Sequence, residues 1–136
     1  MLTTEQLDNW FTYHLPTDEQ IRKYDTIRNT EIKCIMDITQ ATFENVDIDK
    51  LHEVINNSTR CMAEVIDANA PDCADKTAAI RCVRLARMAW NEWAQELYRK
   101  ESDRRWHDTE GLFVLAEQEL IKARWQACAA IACGGK

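Results

Sequence analysis

Only three glycines and two prolines interrupt the 136 residues. The chain therefore has few sites for tight β-turns, and its Ala, Leu, Ile, Glu, Lys, Arg and Gln can run on into long helices. An all-α protein is predicted. No run of 18 uncharged apolar residues occurs, and the opening Met1-Leu2-Thr3-Thr4-Glu5-Gln6 has neither a basic region nor an apolar stretch. No membrane span and no secretory leader are expected, and the protein is predicted to be cytosolic. Positive charge is not in excess either. Lys and Arg total 17 against 23 Asp and Glu, a net charge of −6, which argues against a DNA or RNA polymer as partner because such affinity comes mostly from cations neutralising many phosphates. A small anion held by local charge is still compatible with this balance.

Chemical motifs are missing as well. Cys34, Cys61, Cys73, Cys82, Cys128 and Cys133 are scattered through helix-like segments with no CxxC pair, so reduced, buried thiols are expected rather than a disulfide scaffold. His14, His52 and His107 lie on separate segments without the paired spacing of a zinc site. P-loops, nucleophile elbows and HExxH are absent. The reading is therefore no metal, no cofactor and no enzyme. With 46% hydrophobic residues the length suits one domain with a real core.

What is present is a series of helix-start signals. Thr3 with Gln6 makes a capping box for a short helix over residues 4 to 13, and Leu15-Pro16 ends it. Thr17 with Gln20 makes a second box and predicts a helix to residue 42, with Ile21, Tyr24, Ile32, Ile35 and Ile38 as its apolar stripe and Arg28 within it. Glu44-Asn45-Val46-Asp47 is a break. Leu51, Val54, Ile55, Met62, Val65 and Ile66 mark the next helix, ending near Asn69. Pro71-Asp72 turns the chain, and Asp72 with Asp75 starts a long helix whose core face carries Val83, Ala86, Trp90, Trp93, Ala94 and Leu97. Residues 99 to 105 are solvated. Asp108 caps a last helix from about 109 to 132, which Gly134-Gly135 stops.

Several polar groups stand out. Thr77, Arg81, Arg84, Met88, Asn91 and Gln95 share a second stripe of the long helix, suited to phosphates and base edges or, alternatively, a solvated face. An arginine in an apolar stripe, as Arg28 is read, must snorkel outward, pair with Glu31 or Glu64, or await an anion. Tyr13 and His14 lie just before a helix N-terminus that favours anions, although they equally suit a helix C-terminal cap. Trp90, Trp93, Trp106 and Trp125 read as core or oligomer contacts. The small residues Ala127, Ala129, Ala130 and Ala132 let helices approach closely.

The run Trp10-Phe11-Thr12-Tyr13-His14-x-Pro16-Thr17-x-x-Gln20-Ile21-x-x-Tyr24-x-x-Ile27-Arg28, with Lys33 beyond it, resembles the opening of small phage helical-hairpin proteins related to anti-CBASS and anti-Thoeris nucleotide sponges. Ala74-Asp75-Lys76-Thr77-Ala78-Ala79-Ile80-Arg81-x-Val83-Arg84 resembles that family's second-helix start, and Ala129 to Lys136 its ending. The resemblance implies a helical hairpin in homo-oligomers that bind cyclic oligonucleotides without cleaving them. It places the family core in residues 10–36 and 63–91 with the tail 124–136, and insertions at about 37–62 and 92–123. These enlarge the hairpin to a bundle of about four to five helices. Cys128 stands where such proteins usually have asparagine, so a polar contact is lost or is supplied by Asn91.

The expected function is thus a phage sponge in the host bacterial cytosol. It sequesters a cyclic di- or trinucleotide, or a ligand of the cyclic ADP-ribose type, and blocks anti-phage signalling. Tyr13 would stack on a base, Arg28 and Lys33 would hold phosphates, and Arg81, Arg84 and Asn91 would complete the site from another helix or subunit, with His14 and Thr77 also among the ligand-binding residues. The rival reading is a helical protein-interaction or structural module that presents exposed tryptophans.

Overall fold

The computed structural model describes residues 17–99 and 106–134, the latter with side chains over 110–132. Four helices fill these residues: α1 (Asp18–Phe43), α2 (Ile48–Asn69), α3 (Ala74–Leu97) and α4 (Trp106–Gly134). The protein is an all-α bundle, as its shortage of turn formers predicts. The helix expected over residues 4 to 13 lies outside the described residues.

Helix α1 begins where the capping box placed it. The Thr17 hydroxyl accepts from the Gln20 amide at 3.1 Å, and Gln20 Oε1 accepts from the Thr17 amide at 3.2 Å. Its C-terminus is a Schellman turn: Asn45 adopts φ 58°, its N–H donates to the Thr42 carbonyl, and Val46 N–H donates to the Ala41 carbonyl. Asparagine tolerates that left-handed conformation better than most residues that bear a side chain. Asp47 then caps α2 by accepting from the Lys50 amide at 2.8 Å. Two four-residue connections, 44–47 and 70–73, force α1, α2 and α3 into antiparallel succession. Helix α4 packs extensively on α3 and also against α1, which closes the bundle.

The inward face of α1 differs from the expected stripe. Gln20, Tyr24, Ile27, Glu31, Cys34, Ile38 and Ala41 are buried, in steps alternating between four and three residues, whereas Ile21 and Ile32 are exposed. Two polar residues take inward positions because α4 supplies partners for them. Gln20 Nε2 donates to the Ile131 carbonyl at 3.0 Å, satisfying an oxygen in the last turn of α4 that the helix itself leaves free. Glu31 Oε1 accepts from Arg124 Nε at 2.9 Å, and Arg124 also donates to the Tyr24 hydroxyl at 2.9 Å. Arg28 is one position off this face and is exposed; it does not belong to the buried stripe.

The core face of α3 is close to that expected, with Ala79, Val83, Ala86, Ala89, Trp90, Trp93 and Ala94 buried and Leu97 packed at the margin. Phe113 of α4 meets Trp90 and Trp93 edge-on, with ring centroids 5.9 and 5.0 Å apart. Trp93 is therefore a core residue. Asp72 does not cap α3. Its carboxylate holds Lys76 Nζ at 2.8 Å, while Cys73 occupies the cap position without a side-chain bond. Lys76 is buried and also reaches the Asp67 carbonyl and carboxylate, both at 3.0 Å. A buried ammonium has a stronger claim on the acid than a helix end has. Helix α4 starts at Trp106, so Asp108 lies within its first turn and not at its cap.

Only part of the expected thiol burial is found. Cys34 and Cys128 are buried, Cys61 and Cys73 are exposed and Cys82 is intermediate, all as free thiols; Cys133 lies outside the described side chains.

Candidate anion-binding groove

Helices α2 and α3 run side by side along a seam that is polar on its outer edge. Position 52 recurs at 56 and 60 along α2, one helical turn each time, and these residues face Gln95, Asn91, Arg87 and Arg84 of the antiparallel α3. His52 Nδ1 lies 2.7 Å from Asn91 Oδ1, and its Nε2 lies 3.1 Å from Gln95 Nε2. Asn91 Nδ2 donates in turn to Asn56 Oδ1 at 3.0 Å. The result is a ladder, Gln95–His52–Asn91–Asn56, stitching the two helices together.

Beyond Asn56 the seam widens into an open groove of about 600 Å³, lined by Asn56, Asn57, Thr59, Arg60, Ala63, Ile80, Val83, Arg84 and Arg87. Its floor is apolar and its rim carries three guanidiniums. Arg60 donates to Asn57 Oδ1 at 3.2 Å and has Glu64 at 3.9 Å, a long, exposed contact worth little. Among the described residues neither Arg84 nor Arg87 has an ion pair, and no carboxylate lines the groove. In a chain of net charge −6, this is a local concentration of unneutralised positive charge. Arg84 and Arg87 are also three positions apart on one helix, an arrangement that costs a helix a few tenths of a kcal/mol through like-charge repulsion.

The residues expected to form the site are divided by the structure. Arg84 lines the groove, and Asn91 joins it through Asn56. Thr77 is exposed near the start of α3 and turns its hydroxyl back to the Cys73 carbonyl at 3.3 Å. Arg81 is exposed outside the groove lining. On α1, Arg28 is exposed, and Lys33 pairs with Asp37 at 2.9 Å, a hydrogen bond that raises the Lys33 pKa above its ordinary value. Lys33 borders a smaller cleft between α1 and α2 with Cys34, Cys61 and Asn57, the last of which also borders the main groove. Tyr13 and His14 lie outside the described residues. Cys128 is in the core, while Asn91 is bonded to His52 and Asn56, so Asn91 serves the α2–α3 seam.

Arg60, Arg87, Asn56, Asn57 and His52 were not expected in the site. Two signals for them are present in the chain. Arg81, Arg84 and Arg87 recur at three-residue intervals with no acid three or four positions away, and His52, Asn56 and Arg60 repeat at four-residue intervals.

Among the described residues no group of three or more His, Cys, Asp or Glu could hold a metal ion, and no helix is long and apolar enough to cross a membrane. Comparison with known protein families, curated proteins and solved structures finds no match to the chain.

Proposed function

We propose that the protein is a non-enzymatic sponge for a cyclic oligonucleotide messenger, with the α2–α3 groove as the seat of its phosphates. The observation that carries this reading is the convergence of Arg60, Arg84 and Arg87 on one groove without a carboxylate among its lining residues. A volume of about 600 Å³ falls within the range of small-molecule sites. Guanidiniums are the side chains best matched to phosphate oxygens. Competing for a messenger present at about 1 μM requires about −8 kcal/mol, which a few charge-assisted contacts and some stacking can supply.

Arg28 and Lys33 lie on α1, outside the lining of this groove. A homo-oligomer in which a second copy presents α1 is the arrangement that would bring them to the same ligand. Retention without turnover is the sponge's chemical signature, and the resemblance of the N-terminal and α3 motifs to nucleotide sponges supports it.

Calorimetric titration with cyclic dinucleotides, cyclic trinucleotides and cyclic ADP-ribose isomers tests the proposal. Binding of one class at or below about 1 μM, with the ligand recovered unchanged by chromatography, is expected. Silence across all three classes rejects the sponge, and a cleaved ligand rejects the non-enzymatic reading.

A second reading has its own observation. Ile32, Met36 and Phe43 are exposed on the outer side of α1, Phe43 at 80%, which suits a protein-interaction module. That reading requires Phe43→Ser to abolish function while Arg84→Ala with Arg87→Ala leaves it intact; the sponge requires the reverse. Trp93 does not discriminate here, since it is buried, and Trp106 lies outside the described side chains.

A further inference from the structure

The orientation of Asn56 is set from outside the groove. Among the groove's polar side chains, the oxygen of Asn56 accepts from Asn91, the oxygen of Asn57 accepts from Arg60, and the buried Thr59 hydroxyl donates to the Ile55 carbonyl at 2.8 Å. The amino groups of Asn56 and Asn57 are left to donate, alongside three guanidiniums that can only donate. Every polar side chain available to a ligand therefore offers N–H.

We infer that the groove recognises a pair of phosphate groups through hydrogen-bond donors, and that His52 is the positioning residue that fixes the orientation of Asn56. The inference rests on the nucleotide reading for its biological ligand, but not for its chemistry. The amino groups of adenine and cytosine would meet another donor at this wall, and guanine could offer it only its N7/O6 acceptor edge. Phosphodiester and pyrophosphate oxygens are acceptors only. His52 acts through Asn91: its Nδ1–H donates to Asn91 Oδ1, which turns the Asn91 amino group onto Asn56 Oδ1 and so turns the Asn56 amino group toward the groove. Gln95 completes the assignment by donating to Nε2, which must then be the unprotonated nitrogen.

The test is a titration of the intact protein with three probes: inorganic pyrophosphate, cyclic di-AMP and cyclic di-GMP, the last two sharing a backbone and differing in base. Wild type is expected to bind pyrophosphate, and Asn56→Leu to weaken all three probes by a similar factor of about ten, the worth of one hydrogen bond to a charged group. His52→Leu is expected to weaken them by a few-fold. His52→Gln, whose amide can still donate to Asn91, is expected to restore them, a rescue that mere packing would not give. The inference is overturned if Asn56→Leu separates the two cyclic dinucleotides by more than a few-fold, or if His52→Gln behaves like His52→Leu. The two proposals can fail separately. Pyrophosphate binding without cyclic nucleotide binding upholds the phosphate-binding groove and sinks the sponge, whereas cyclic nucleotide binding with no response to pyrophosphate does the opposite.

Discussion

Arg87 and Arg124 follow an alanine in similar local sequence, Leu-Ala-Arg-Met and Lys-Ala-Arg-Trp, yet they have opposite fates. Arg124 is 4% exposed, pinned between α4 and α1 by Glu31 and Tyr24. Arg87 is exposed and, with Arg84, rims a groove that contains no acid. The difference lies in solvent. Burying an unpaired charge is prohibitively costly, so an inward arginine must find a carboxylate; an outward one is solvated by water and remains available. One arginine specifies the packing of two helices, and the other is free to meet a ligand.

Removing Arg124 should have the largest effect. Arg124→Ala leaves Glu31 buried without its partner and is expected to destabilise the fold by about 3–5 kcal/mol in urea denaturation. Replacing both partners, Arg124→Met with Glu31→Leu, should recover most of that loss, since a buried pair exchanged for apolar groups is often near neutral. A small loss in the single variant would break the comparison.

Lys76 sharpens it, being a second buried cation that is held by acids. Asp72 and Asp67 raise the Lys76 pKa above 10.5, while Lys76 holds the Asp72 carboxyl below 3.8. The Asp72 contribution is therefore complete above pH 3.8 and lost as the pH falls through the lowered value. The Lys76 contribution is complete below pH 10.5 and lost as the pH rises through the raised value. Lys76→Met should flatten both limbs of a stability–pH curve measured by urea denaturation.

Capping gives a smaller effect. Thr17→Ala should cost about 1 kcal/mol, measured the same way, because the box fixes the start of α1 and with it the Gln20 bond to α4. Arg84→Ala with Arg87→Ala should change stability by no more than about 0.5 kcal/mol. Thiol chemistry probes burial without perturbing the fold. Burial pushes the Cys34 pKa up to about 12, so iodoacetamide at pH 8 should label exposed Cys61 and Cys73 well before Cys34 or Cys128, as read by peptide mass spectrometry.

The helices were legible in the sequence to a degree the site was not. Thr17 with Gln20, the Glu44–Asp47 break and Pro71 are local signals, and local chemistry decides where a helix starts and stops. Which face turns inward is decided by partners far along the chain: Glu31 is buried because Arg124, 93 positions away, meets it. The spacing of α1 could not reveal that, and it placed Ile32 inward and Arg28 in the stripe. The groove was half legible for the same reason. Arg84 and Asn91 belong to the polar stripe of α3, but Arg60, Asn56 and His52 join them only once α2 lies antiparallel alongside.

The central claim, that the groove arginines serve a ligand and not the fold, is tested most directly by urea denaturation of wild type and Arg84→Ala with Arg87→Ala, each with and without saturating cyclic oligonucleotide. At one hundred times Kd the ligand should stabilise wild type by about 2.7 kcal/mol and leave the variant unmoved, while the two unliganded proteins unfold alike. Equal stabilisation of both proteins, or a variant that is already several kcal/mol weaker without ligand, would contradict it.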